Sequence, residues 1–336
     1  MTGKERINRI INRQDVDRCG FWMGNPHPEA LKIYNKYFEV KSFKELILKL
    51  NNDMVWFSAN RYLLGAPLIM PRGLKAKKTL SEGGLLQNAE CIEDVDKIHW
   101  RKAKYLSFGL INRDLKFAIE NNLAILSGMQ AGFWHDLTDF FGMEECLIKM
   151  YTHPEIVLHA VNRITEVYYN ANEVFFKKYA HKIDAFFFFN DLGTQLDTLI
   201  SPEHFREFVL PSMIKLTEQA KRYNLKVALH SCGSIDKFIP DIIKIGVDIL
   251  HPIQAKAKNM EAEKLQDKYG KDIVFLGGVD TQELLPFKKP EEVRAEVKRL
   301  KGIFGKHYIV SPSHEALLSN VPPKNLLAMK NEAVKV

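Results

Sequence analysis

The stretch LKVALHSCGSIDKF, residues 225–238, runs from an apolar segment into His230, Ser231, Cys232 and Gly233, and then into the start of a helix. A run that is apolar on both faces, closed by a polar turn and followed by helical spacing, reads as a strand of a parallel sheet covered by helices. The same rhythm recurs along the chain in CGFWM (19–23), DMVWF (53–57), LAILSG (123–128), DAFFFF (184–189), KVALHS (226–231), VDILHP (247–252), IVFLGG (273–278) and HYIVSP (307–312). Eight such strands alternating with helices predict an α/β fold, a single (β/α)8 TIM barrel.

The intervening helices carry start signals: Ser201 before Pro202 and Glu203 in SPEHFREF, Pro154 in HPEIVLHAV, and Pro290 in KPEEVRAEV. Proline in a first turn costs no hydrogen bond, and acidic residues there suit the helix dipole. Residues 60–105 fit the rhythm poorly. LLGAPLIMPRG and LSEGGLLQ read as a loop and small hairpin inserted after the second strand. With no linker and no internal repeat, residues 1–336 are expected to form one decorated domain.

Composition narrows the class. The 336 residues are 46% hydrophobic and 26% charged, which suits a folded protein with a large core. No apolar run approaches the ~20 residues needed to span a bilayer, and MTGKERINRIINRQ lacks a secretory segment, so a cytoplasmic protein without a membrane partner is expected. The four cysteines (Cys19, Cys91, Cys146, Cys232) form no CxxC pair, which predicts reduced thiols. A net charge of +7 comes from scattered lysines, with KAKK (75–78) the densest group, so nucleic acid is not the expected partner.

On such barrels the chemistry sits at the C-terminal ends of the strands. Those ends present Asn25 and His27, Ser58 and Asn60, Gln130, Asn190 and Asp191, His230 and Cys232, Gln254, Asp280, and Ser313, His314 and Glu315. Residues two apart on a strand point the same way, so His230 and Cys232 can share one metal ion. Their donors suit zinc, whose catalytic sites take about three protein ligands and keep one position open. His314 is the favoured third ligand, with Glu315, Asp280 and Asp191 as oxygen alternatives. The alternative is structural: a core histidine beside a small buried thiol.

Other residues invite a role. Asp191 can orient a substrate or take a proton, or it can cap a turn before Gly193; Asp280 can act likewise or cap the helix that follows. Asn25, Asn190 and Gln195 are candidate substrate-binding amides. Trp22, Phe133 and Trp134 are candidates for an apolar wall around a small substrate.

NDLGTQLDTLISPEHFREFVLP, HSCGSIDKFIPDIIKIGVDILHPIQ, IVFLGGVDTQELL and SPSHEALLSNVPPKNLLAM together resemble the uroporphyrinogen decarboxylase superfamily. The His-x-Cys is similar to that of its branch of methylcobalamin:coenzyme M methyltransferases and related corrinoid-dependent methyltransferases. That resemblance implies a (β/α)8 barrel, a zinc ion held by His-x-Cys and a later cysteine, and a corrinoid (cobalamin) cofactor. Here His230 and Cys232 match the first two positions, and His314 stands at or next to the third. True decarboxylases of the superfamily carry arginines just after the first strand, where this chain has WMGNPHPE. A carboxylate clamp is missing.

The resulting expectation is a methyltransferase that moves a methyl group between a small methylated substrate, or a thiol or folate acceptor, and the cobalt of a corrinoid. The chain has no Asp-x-His-x-x-Gly segment, so a separate corrinoid protein is the expected partner. The alternatives are a decarboxylase-like enzyme acting on a tetrapyrrole and a non-catalytic corrinoid- or small-molecule-binding barrel.

Overall fold

Each of the eight apolar runs forms a strand in the computed structural model, which describes residues 1–63, 68, 82–98, 100, 102–103 and 106–336. The strands are β1 (Gly20–Phe21), β2 (Met54–Ser58), β3 (Ala124–Gly128), β4 (Ala185–Phe189), β5 (Lys226–His230), β6 (Ile249–Ile253), β7 (Val274–Val279) and β8 (Tyr308–Pro312). They pair in parallel in the order β1-β8-β7-β6-β5-β4-β3-β2. Two further bonds span the β1–β2 seam, Asp53 N to Phe21 O at 2.9 Å and Phe21 N to the Asp53 carboxylate at 2.8 Å. The result is a nearly closed (β/α)8 barrel with helices between its strands. The helices expected at Pro154 and Pro290 run Pro154–Tyr179 and Pro290–Phe304, and Ser201 caps a helix beginning at Pro202.

Strand alternation separates two cores. Inward residues Met54, Leu126, Phe187, Ala228, Ile249 and Leu276 fill the barrel, while Val55, Ile125, Phe186, Phe188, Leu229 and Phe275 pack outward against the helices. From Ala228 the alternation carries His230 to the inside, and from Ile249 it carries His251 there. The opening helix, α1 (Gly3–Ile11), adds Ile7, Ile10 and Ile11 to the inner core.

The hairpin expected within 60–105 falls largely on residues 64–67 and 69–81, outside the described residues. What is described of that segment includes a short helix, Ile92–Asp96, and a bridge between Leu63 and Phe108. A second, two-stranded sheet joins Asn25–Pro26 to Ala316–Leu317 and ties the loop after β1 to the loop after β8. No described helix is long and apolar enough to cross a membrane.

Candidate metal centre

His230 ends β5, and the two-residue spacing brings Cys232 back over it, with Sγ 3.3 Å from Nε2. The loop after β4 supplies the third member: Asp191 Oδ1 lies 3.3 Å from His230 Nε2 and accepts a hydrogen bond from Cys232 N at 2.9 Å. Donor atoms of Asp191, His230 and Cys232 all fall within 4.8 Å of one another. Zinc takes sulfur at ~2.3 Å and nitrogen or oxygen at ~2.0–2.1 Å, so tetrahedral angles put S and N roughly 3.5 Å apart and N and O roughly 3.4 Å apart. The residues present therefore fit zinc.

Two glycines make the approach possible. A Cβ on Gly193 would meet Ser234 O at 2.6 Å, and one on Gly233, whose φ is +86°, would overlap the Gly193 backbone. Bare backbone lets the loops after β4 and β5 lace together through Gly193 N to Cys232 O at 3.2 Å and Ser234 N to Thr194 O at 2.7 Å. Asp191 and Cys232 are held opposite one another as a consequence.

His314, favoured from the sequence as third ligand, stands beside this triad. Its Nδ1 accepts the Ala316 N–H at 3.1 Å, its ring lies 6.3 Å from that of His230, and its side chain hydrogen-bonds Cys232. The compact donor set thus contains Asp191, which the sequence ranked lower. Glu315 Oε2 sits 3.6 Å from both His230 Nδ1 and His314 Nδ1, buried and without a hydrogen-bond partner among the described residues.

Electrostatics tie the group together. Burial alone would lower the His230 pKa, but hydrogen bonds to Asp191 and Cys232 and the charge of Glu315 hold it well above its usual value. Burial would raise Asp191, yet hydrogen bonds from His135 and His230 keep its carboxyl far below the ordinary range. The hydrogen bond to Cys232 raises His314.

The other sequence candidates part ways. Asp280 caps the helix that follows: its carboxylate accepts the backbone N–H groups of Gln282, Glu283 and Leu284 at 3.1, 2.9 and 2.9 Å. Asn190 is fully buried and latches loops together, accepting from Trp134 N and donating to Ala131 O. Gln195 is exposed and bonds Gln254, which in turn accepts from Gly233 N. Asn25 is half-buried on the rim, with its backbone N–H on Glu315 O and its Nδ2 unpartnered among the described residues.

A cavity of about 70 Å³ opens beside the triad, and its aromatic lining is Trp56, Phe187, Phe188 and Phe189, joined by Gln130, Asp191, His230, His314 and Glu315. Trp22 and Trp134 are 2% and 1% exposed and are not among the residues lining this cavity: Trp22 points into the inner core of the barrel, its ring 5.4 Å from that of His251, and Trp134 packs in the outer core. Phe133 is fully buried as well. Sequence reasoning missed two residues here. His135 bonds Asp191 Oδ2 at 3.3 Å from the helix after β3, and His251 sits behind His230 with Nδ1 2.9 Å from Nδ1. A histidine inside each of two adjacent parallel strands was the available signal for His251.

A thiol, an imidazole and a carboxylate that could hold a metal ion thus converge at the C-terminal mouth of the barrel. The chain belongs to the uroporphyrinogen decarboxylase (URO-D) family, whose sequence profile matches residues 115–336. A segment of 96 residues is 33% identical to a methylated-thiol–coenzyme M methyltransferase of Methanosarcina mazei; it covers 29% of this chain and only 24% of that protein. A solved methyltransferase structure from Methanosarcina mazei superposes with a TM-score of 0.66 over 99% of this chain and 98% of the other, at 16% identity, which speaks for the shared fold.

Proposed function

We propose that the protein is a zinc-dependent methyltransferase that moves a methyl group between a small methylated substrate, or a thiol or folate acceptor, and the cobalt of a corrinoid carried by a separate protein. The observation that carries this reading is the triad of Asp191, His230 and Cys232, with donor atoms within 4.8 Å of one another. The family membership and the methyltransferase relatives support it.

On this reading His230 Nε2, Cys232 Sγ and a carboxylate oxygen of Asp191 hold the zinc, with His314 beside Cys232. Bound zinc supplies a Lewis acid that lowers the charge a departing heteroatom must carry, or keeps an acceptor thiol as thiolate. The chain's own residues do the rest. Phe187, Phe189 and Trp56 wall the cavity and limit water at the reacting end of the substrate. Glu315, whose Oε2 lacks a hydrogen-bond partner among the described residues, accepts a proton-bearing group of the substrate, and Gln130 offers an amide to the same cavity. Because one water needs roughly 10–15 Å³, a cavity of about 70 Å³ takes a group of a few heavy atoms. A corrinoid carried by a partner would supply the cobalt that takes up or gives the methyl group, and the walls formed by Trp56, Phe187 and Phe189 would hold the substrate's methyl in place for it.

Decarboxylation of a tetrapyrrole fits less well. Asp191 and Glu315 face the cavity, no arginine is among its described lining residues, and a polycarboxylate would meet like charge. The test is spectroscopic: mix zinc-loaded protein with cob(I)alamin or a reduced corrinoid protein and a panel of methanol, methylamines and methyl ethers, and run demethylation of methylcobalamin by thiols or tetrahydrofolate beside it. Formation or loss of methylcobalamin is expected in one direction. Silence in both directions, or turnover of uroporphyrinogen, would contradict the proposal.

A further inference from the structure

We propose that His251 is a positioning residue that fixes the tautomer of His230, so that Nε2 of His230 is the nitrogen offered to the metal; this rests on the zinc reading above. The placement starts with the ladder. β5 and β6 pair in register with His230 opposite His251, so both rings enter the barrel at the same level. Their Nδ1 atoms lie 2.9 Å apart, and two imidazole nitrogens at that distance must share one proton, one donating and one accepting.

Which one donates decides the metal site. If His251 donated, neutral His230 would carry its proton on Nε2, the atom that faces Cys232 Sγ and Asp191 Oδ1 at 3.3 Å each, and no lone pair would be left for a metal there. If His230 donates from Nδ1, its Nε2 lone pair is free for the metal. Burial favours a neutral His251, which has one acceptor nitrogen to offer: it is 0% exposed, and its ring stands 5.4 Å from Trp22 and 5.5 Å edge-on to Phe187. Accepting at Nδ1 places its own proton on Nε2, which is buried with no hydrogen-bond partner among the described residues, and the free Nε2 lone pair this gives His230 for the metal is what selects that arrangement. Metal-bound histidines are commonly oriented by an acceptor on the second nitrogen, usually a carboxylate or carbonyl. Here a neutral imidazole takes that place. The nearby carboxylate, Glu315, stands farther off, at 3.6 Å from the same His230 Nδ1.

The experiment measures zinc affinity by competition with a chromophoric chelator for the wild type, His251→Phe and His251→Asn. Phenylalanine keeps the volume and removes the acceptor; asparagine returns an acceptor oxygen near the old Nδ1. The expected result is a loss of ~10–100-fold in His251→Phe with partial recovery in His251→Asn. Nitrogen-15 NMR of histidine-labelled, zinc-loaded wild type is the second readout and needs no variant to fold. It should find Nδ1 protonated on His230 and unprotonated on His251. Equal affinity in wild type and a folded His251→Phe, or the Nδ1 proton on His251, would overturn this proposal while leaving the zinc reading intact. A wild type that binds no zinc would overturn both.

Discussion

The two ends of the barrel treat carboxylates in opposite ways. At the N-terminal end Asp53, Asp184 and Asp248 stand immediately before β2, β4 and β6, and each accepts a backbone N–H from the preceding strand: Phe21, Ile125 and Val227, all at 2.8 Å. Each also meets cations: Arg6 and Arg18 at Asp53, Lys4 at Asp184, and Lys221 and Lys226 at Asp248. At the C-terminal end Asp191 and Glu315 face histidines and a thiol, and Glu315 keeps a buried oxygen without a hydrogen-bond partner among the described residues. The carboxylates of one end are paired within the chain. Those of the other end, on the proposed reading, also serve a metal and a substrate, the division of labour that barrels of this kind use between stability and chemistry.

Substitutions at the two ends should therefore separate activity from stability. The largest effect is expected at the mouth: Cys232→Ala or His230→Ala should reduce methyl transfer to background while the melting curve of the zinc-free protein stays close to wild type. A collapsed fold in both would mean that the pair is core packing. At the other end, Asp53→Ala leaves Arg6 and Arg18 without their buried partner and opens the β1–β2 seam, so a loss of roughly 3–5 kcal/mol is expected by urea denaturation. Zinc per folded chain should not change. A loss under ~1 kcal/mol would mark the cluster as equivalent to a surface pair.

Smaller effects sharpen the contrast. Gly233→Ala forces a side chain into the left-handed region, a cost of roughly 1–2 kcal/mol, and pushes the loops after β4 and β5 apart. Weaker zinc binding should accompany the loss. Unchanged affinity would show that Asp191 is held by some other route. The last expectation concerns Asp136, on the helix after β3, whose carboxyl is pushed up to about 7 by burial, against the hydrogen bond from Tyr168. A carboxyl raised in the folded state contributes stability that is complete below its unfolded value near 3.8 and is lost as pH rises through about 7. Stability should thus fall across that window, by a fraction of ~1.4 kcal/mol per pH unit because Asp136 keeps some exposure. Asp136→Asn should flatten the slope, and an identical pH profile in the variant would exclude this source.

The barrel was legible because a parallel sheet leaves a repeated trace: all eight strands lie within two residues of the apolar runs that announced them. β1 is the shortest, at Gly20–Phe21, since side chains of Asn52 and Asp53 take over ladder bonds to Met23 and Phe21. Strand period suggested that His230 and Cys232 face the same way, and Cys232 Sγ lies 3.3 Å from His230 Nε2. Asp191 was not ranked as their partner because its position depends on Gly193 meeting Gly233, a contact between loops that no local pattern encodes. Asp280 carried two readings, and only the N–H groups of residues 282–284 distinguish them. His251 hid in VDILHP, where an apolar strand masks an inward imidazole until the register sets it opposite His230. Trp22 and Trp134 drew attention by type, but which way an aromatic faces is set by tertiary packing.

The most direct test of the central claim is zinc X-ray absorption on the full chain, purified without chelator, together with elemental analysis. The account predicts about one zinc per chain, bound by one sulfur at ~2.3 Å and nitrogen or oxygen at ~2.0–2.1 Å, with the sulfur contribution lost in Cys232→Ala. A chain that holds no stoichiometric zinc, or holds it with no sulfur in its coordination shell, would contradict the account.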